Sequence, residues 1–284
     1  MDSGRPIDHV VIAVRDLADA AARFEALGFT VTPHASHPDH MGTSNRLVQF
    51  GNHSFIELVH ADRPHSVDTH DFSSTPRRFS FGAHIKAFSE KRDGMAALVL
   101  ASADAHGDAQ RFAAAGIDTY APLDFERHAT LPDGSRSTVA FSLAFATSPA
   151  MPDIAFYVCQ NRFPENFWKP AFQSHANGAA GISAVTMVDH DPARHTDFLT
   201  RLTGAAPSPV DGGLCVPCGV KQSLFVVTPD HFEDRRPNAS RTLPYFAGVT
   251  IERPGDAHAA TSADVACGIF LDWQQPGGRR CSLR

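Results

Sequence analysis

Two polar residues stand alone inside apolar runs. His9 lies in Ile7-Asp-His-Val-Val-Ile-Ala, two residues after Ile7 and two before Val11, so on an extended strand its imidazole leaves the same sheet face as theirs. Glu57 is a lone carboxylate between Ile56 and Leu58, with Phe55 beside them. A buried, unpaired carboxylate is costly, so a partner cation is expected. Imidazole plus carboxylate suits Zn²⁺, Fe²⁺, Mn²⁺, Ni²⁺ or Co²⁺. The residue types alone equally allow a strand-end histidine and a glutamate that is salt-bridged or solvated on a convex face.

Other groups could serve a reaction around such a pair. His34-x-x-His37-x-x-His40 places three imidazoles in one loop. Pro33 and Pro38 disfavour a helix there and Met41-Gly42 breaks it, so the loop is read as solvated or substrate-gating, with His37 or His40 as a possible ligand or acid/base. Asn45 and Arg46 enter the next strand; either could hold a substrate oxygen, Arg by its fork and Asn as donor and acceptor, or simply bond a strand edge. In Pro164-Glu-Asn-Phe-Trp168, Trp168 and Phe167 could cap a cavity and Glu165 act as a base, although the cluster would equally dock two halves together. Cys215-x-x-Cys218 sits inside an expected strand with no second such pair, which argues against a zinc or redox role. No GxxxxGK[ST], GxSxG or GxGxxG pattern is present.

The elements that would position these groups emerge from an internal repeat. Ile7–Phe29 and Met95–Ile117 share an apolar run, an Asp-initiated amphipathic stretch and a Gly; Asp16, Phe24 and Gly28 recur as Asp104, Phe112 and Gly116, each 88 positions on. A third copy starts at Ile182, and Gly204 again follows Gly116 by 88. Each copy predicts a strand, an Asp N-cap, a helix of about three turns and a left-handed Gly. Strands are then expected at Phe29–Pro33, Arg46–Phe50 and Phe55–His60, at Ser137–Thr147 and Ile154–Gln160 with Leu131-Pro-Asp-Gly-Ser135 as a turn, and at Gly213–Pro217 and Leu224–Val227. A shorter, degenerate fourth copy runs from Tyr245 to Ile269–Trp273. The order β-α-β-β-β, repeated, gives an α+β fold: βαβββ modules paired into cupped sheets with helices on the outside. Residues 1–160 form an N-terminal module pair, 161–181 a connection, and 182–284 a third module plus the degenerate fourth.

Composition narrows the classes further. The 284 residues are 43% hydrophobic and 20% charged, with 21 Phe, the make-up of a folded chain. Twenty-five basic against 31 acidic residues leave −6, which argues against nucleic acid or an anionic membrane as partner. The longest apolar run, near Met95–Ala103, is far short of a bilayer span. No secretory signal is read at the start, and five cysteines, an odd number, favour reduced thiols and a cytoplasmic location.

The runs IDHVVIAVRDL, MGTSNRLVQFGN and SFIELVH, with CQNRFPENFWKPAF and HANGAAGI, resemble the glyoxalase-like domain group of the vicinal oxygen chelate superfamily over most of residues 6–185. The resemblance implies paired βαβββ modules around a cupped cavity and one divalent metal ion, with His9 and Glu57 as the first module's ligands. The position equivalent to His9 is Ala97 in unit two and Ala184 or Val185 in unit three, and in IAFYVCQ only Cys159 and Gln160 are ligand-capable, so Gln160 is taken as the third polar contact. Three functions follow. The first is a metal-dependent, glyoxalase-type lyase or isomerase acting on a small oxygenated molecule, with Glu57, Glu165, His37 or His40 moving a proton. The second is an extradiol-type ring-cleaving dioxygenase, which needs a second histidine. The third is a metal-free small-molecule binding or resistance protein. A monomer or homodimer is expected.

Overall fold

In the computed structural model, residues 3–130, 136–233, 243–254 and 266–276 are described. The Leu131–Ser135 turn and Cys281 lie outside the described residues. The first unit runs β1 (Ile7–Ala13), α1 (Leu17–Ala26), β2 (Ala35–Ser36), β3 (Ser44–Gln49) and β4 (Phe55–His60). Helix α2 (Phe81–Lys91) leads to the second: β5 (Gly94–Ala101), α3 (Ala105–Ala114), β6 (Asp118–Thr119), β7 (Leu123–Thr130), β8 (Arg136–Thr147) and β9 (Ala155–Asn161). After the short α4 (Pro164–Phe167) come β10 (Gly181–Val188), α5 (Thr196–Thr203), β11 (Ser208–Val210), β12 (Gly213–Cys218), β13 (Gln222–Val227), α6 (Pro229–Glu233), β14 (Tyr245–Glu252) and β15 (Phe270–Gln274).

The first helix shows why the repeat folds as it does. Asp16 Oδ1 accepts from the backbone N–H groups of Ala18 and Asp19, both at 2.9 Å, and satisfies donors that the first turn leaves free. Leu17, Ala20, Ala21 and Phe24 face the core, and Gly28, at φ +84°, turns the chain out of the helix. Asp104 and Gly116 repeat both devices around α3. The third copy departs from the expected cap. Its helix is preceded by a 3₁₀ turn at Pro192–His195 and no side chain caps it; instead buried Asp189 accepts from His195 and Arg194 and ties the end of β10 to the turn.

Nine strands form one sheet along β2-β3-β4-β1-β5-β9-β8-β6, with β7 on β8, and six form a second along β11-β12-β13-β10-β14-β15. In each sheet two units join through their first strands, antiparallel: β1 with β5, and β10 with β14. The halves are knit by Gln222, whose side chain accepts from Ile7 N (2.9 Å) and donates to Ile7 O (3.2 Å), and by Phe156, edge-on to Phe198 and Phe246.

The structure differs from the sequence reading in three places. The strand expected at Phe29–Pro33 reduces to Ala35–Ser36: Pro33 has no N–H, and the Thr32 hydroxyl accepts from Leu47 N at 2.8 Å in place of a ladder bond. Helix α2 and strand β7 carry no repeat signal and were not expected. Cys215 is held in a disulfide, whereas all thiols were expected reduced; Cys159, Cys218 and Cys267 are buried and are not in a disulfide. Pairing depends on which cysteines the fold brings within bonding reach, which spacing does not reveal. No helix among the described residues is long and apolar enough to cross a membrane.

Two glycines let the His37–Met41 segment lie close to its neighbours. A Cβ on Gly82, in α2, would fall 1.9 Å from Met41 O; one on Gly42, at φ +61°, would fall 2.4 Å from Val67 Cγ2. Gly82→Ala should therefore destabilise the protein by about 1–3 kcal/mol despite alanine's better helix propensity, because backbone has to move. Chemical denaturation measures this, and a stabilised variant would contradict the packing.

Candidate active site

His9 and Glu57 come from neighbouring parallel strands in which Val11 lies opposite Glu57, and both side chains point into one cavity. They are 4% and 6% exposed. His9 stacks on Phe55 at 4.2 Å between centroids. Its Nδ1 meets Asp8 Oδ1 at 2.5 Å, which leaves Nε2 facing the cavity, 3.7 Å from Glu57 Oε2.

His37 completes the group. The β2–β3 ladder and the bond from His37 N to Thr43 O (2.9 Å) turn its ring inward, edge-on to Phe81 and Phe125. Its Nδ1 lies 2.8 Å from Thr43 Oγ1, and its Nε2 lies 3.4 Å from Glu57 Oε1. The Asn45 amide nitrogen donates to Glu57 Oε1 at 2.6 Å and sits 3.2 Å from His37 Nε2. Both imidazoles thus have one nitrogen tied to a protein oxygen and the other directed at the same carboxylate, the outer-shell arrangement common to metal-binding histidines. Burial raises the Glu57 pKa, but the His37 and His9 rings and the Asn45 amide outweigh it and hold the carboxyl below its ordinary range.

The donor set fits a divalent cation. Two ligand atoms on a tetrahedral ion with bonds of about 2.1 Å lie roughly 3.4 Å apart. The two imidazole–carboxylate separations of 3.4 and 3.7 Å are near that spacing. Asn45 Oδ1 is in addition a buried oxygen without a hydrogen-bond partner. Among the described residues no three His, Cys, Asp or Glu side chains are already closed to coordination geometry, so the fit rests on donor types, spacing and the orphaned oxygen.

The second unit contributes a phenol. In the β1–β4 register Val11 opposes Glu57; in the equivalent β5–β9 register Val99 opposes Tyr157. Tyr157 therefore occupies the counterpart of the Glu57 position, and its hydroxyl lies 3.5 Å from His9 Nε2. Burial, with Glu57, Cys159 and Asp8 nearby, raises its pKa well above the ordinary value, so it remains a proton donor at neutral pH. Phe141, Leu143 and Phe167 complete the walls with Phe125 and Arg127 of β7.

Several sequence candidates lie elsewhere. Gln160 is not at the cavity: its amide bonds Ala103 O (2.8 Å) and Ala105 N (3.2 Å) and ties β9 to the start of α3. His34 and His40 are exposed, His40 beside a separate surface depression with Asp68 and His70, because the strand and 3₁₀ turn direct only His37 inward. Glu165 is exposed on α4, where Phe167 takes the inward position. Arg46 follows Asn45 on β3 and leaves the opposite face. Trp168 stacks on His53 (5.0 Å) and packs against Phe55 and Phe167, behind the cavity wall. Tyr157 and Arg127 were missed. Residue numbering hid Tyr157, since the counterpart of position 57 is displaced by 100 rather than 88 once the long β7–β8 pair is inserted, and Arg127 lies on a strand without a repeat signal.

Comparison with known proteins agrees with this architecture. Residues 7–203 match the family model of the glyoxalase-like domain. No curated protein matches significantly. Among solved structures, a hypothetical protein from Staphylococcus aureus is similar at 11% identity and TM-score 0.70, covering 95% of this chain and 99% of that one. A variant of 4-hydroxymandelate synthase from Streptomyces coelicolor is similar at 12% identity and TM-score 0.54, covering 89% and 72%. The Mn(II)-bound glyoxalase from Novosphingobium aromaticivorans is similar at 11% identity and TM-score 0.52, covering 96% and 82%. At these identities the likeness concerns the fold.

Proposed function

The chain belongs to the glyoxalase-like domain family, and from that premise we propose that it is a metal-dependent enzyme of the vicinal oxygen chelate superfamily, acting on a small oxygenated organic molecule by lyase or isomerase chemistry. The observation that carries this reading is the convergence of His9, His37 and Glu57 in a largely apolar cavity, with each imidazole held from behind by Asp8 or Thr43. These three residues would hold the ion. When bound, a divalent cation supplies Lewis-acid stabilisation of negative charge on vicinal substrate oxygens.

The chain's own groups do the rest. Glu57, kept ionised, accepts a proton from the carbon beside the substrate carbonyl. The Tyr157 hydroxyl, kept protonated, donates a hydrogen bond to the oxygen on which charge develops. Asn45 orients the carboxylate. Phe55, Phe81 and Phe125 exclude water, which strengthens each of these interactions.

The second reading, a ring-cleaving dioxygenase, is favoured by the same triad. Two histidines and one carboxylate form the set typical of non-haem iron oxygenases, and His37, the middle of the three loop histidines, supplies the second imidazole beside His9. Elemental analysis of purified protein tests both. About one first-row metal per chain is expected; iron with oxygen uptake on catechols would select the dioxygenase. Protein that stays metal-free after incubation with Zn²⁺, Mn²⁺ and Fe²⁺, yet binds aromatic or carbonyl compounds, would overturn both in favour of a binding protein.

A further inference from the structure

Arg127 is a cation in the cavity wall for which the described residues supply no matching anion. It follows Phe125 by two on β7, so both side chains enter the cavity from the same strand face, with Phe141 opposite Phe125 in the register. Its Nη1 is buried and has no hydrogen-bond partner. Among the described residues no carboxylate lies within 4.0 Å of the guanidinium, although Glu57 is near enough to be felt electrostatically. Burial lowers the Arg127 pKa, as for a charge whose hydration has been removed and not replaced. Internal charges are normally paired, and a guanidinium is shaped for a two-point contact with a carboxylate.

Glu57 does not fill that role. Its Oε1 accepts from Asn45 and faces His37, and its Oε2 faces His9, so both oxygens belong to the imidazole group. The walls of the same cavity are largely apolar and include the rings of Phe55, Phe125, Phe141 and Phe167. One molecule could satisfy all three regions if it carried an acid group, a flat apolar body and an oxygen to be activated.

We propose that the substrate is a small aromatic carboxylate, its acid group held by Arg127, its ring between the phenylalanines, and a neighbouring oxygen directed at His9, His37 and Glu57. This deepens the functional reading given above and rests on it for the identity of the reacting end. Arg127 is then a residue that determines specificity for anionic over neutral substrates.

The test is calorimetric titration of the full chain, as isolated, with phenylglyoxylate and with its uncharged methyl ester. Wild-type protein should bind the acid at least about tenfold more tightly than the ester, the size expected for one charge-assisted contact. Arg127→Gln should bring that ratio to about one while ester affinity is unchanged, which also shows that the variant is folded; Arg127→Lys should keep part of the preference. A wild-type ratio of one or below, binding of neither probe, or a preference that survives Arg127→Gln overturns the assignment. In particular, a preference that survives Arg127→Gln but vanishes on EDTA treatment would put the acid on a metal instead. Failure of the metal reading is separately visible, since metal-free protein that retains an Arg127-dependent ratio sinks the former and not the latter.

Discussion

Glu57→Gln should leave a folded protein that no longer retains a metal or turns over substrate. The replacement keeps the volume and an oxygen to accept from Asn45, so the packing around Phe55 and His9 has no reason to change. What disappears is the negative charge between the two imidazoles, and with it both the attraction for a cation and the proton acceptor. Loss of a general base alone costs about 10²–10⁴ in rate. With a ligand lost as well, kcat/KM should fall by at least about 10³, and metal content after dialysis from about one per chain to under about a tenth. Thermal stability at neutral pH should fall slightly, because the folded site favours the carboxylate over a neutral group. His40→Ala and Glu165→Gln are the internal controls: both residues are exposed and away from the cavity, and both variants should stay within about twofold of wild type. Full metal content and activity in Glu57→Gln would remove this residue from the mechanism.

Phe156→Ala should cause the largest loss of stability. Phe156 is 1% exposed on β9, and its ring is met edge-on by Phe198 of α5 at 5.4 Å and by Phe246 of β14 at 5.3 Å. It therefore joins the nine-stranded sheet to the six-stranded one. Truncation removes the ring's transfer free energy and two aromatic contacts and leaves a cavity that two sheets cannot easily close, a cost of about 3–5 kcal/mol. Urea denaturation should show the midpoint fall accordingly, with the thermal midpoint lower by roughly 10 °C. A loss below about 1 kcal/mol would mean that the halves are held by other contacts, such as the paired bonds from Gln222 to Ile7.

The likeness of the three strand–helix starts was readable because it is local. An Asp cap, a buried Phe one turn from the end and a left-handed Gly are each demanded within about a dozen residues, so they recur at 88-residue intervals in the sequence and again in the structure around α1 and α3. The exception is informative. At the third copy Asp191 stands at the cap position but makes no side-chain cap bond, and the turn is tied down instead by Asp189 and His195, whose pairing depends on the path of the chain. Helix α2 and strand β7 had no periodic copy to betray them, and β7 carries Arg127.

For the site the division is similar. His9 and Glu57 were conspicuous as polar residues in apolar strands, since that mismatch is written in the neighbours of each. Nothing in the spacing of His34, His37 and His40 distinguishes one from another; a two-residue strand and a 3₁₀ turn expose the outer two and bury the middle one. Tyr157 stands opposite Glu57's position only through the pairing of β5 with β9, and Asn45 reaches the carboxylate across the pairing of β3 with β4. Strand periodicity and helix caps thus determined the modules, because they depend on neighbours along the chain. Which polar side chains share one cavity was decided by sheet register and by loops closed over tens of residues, where the partners are distant in sequence and set only by the packed fold.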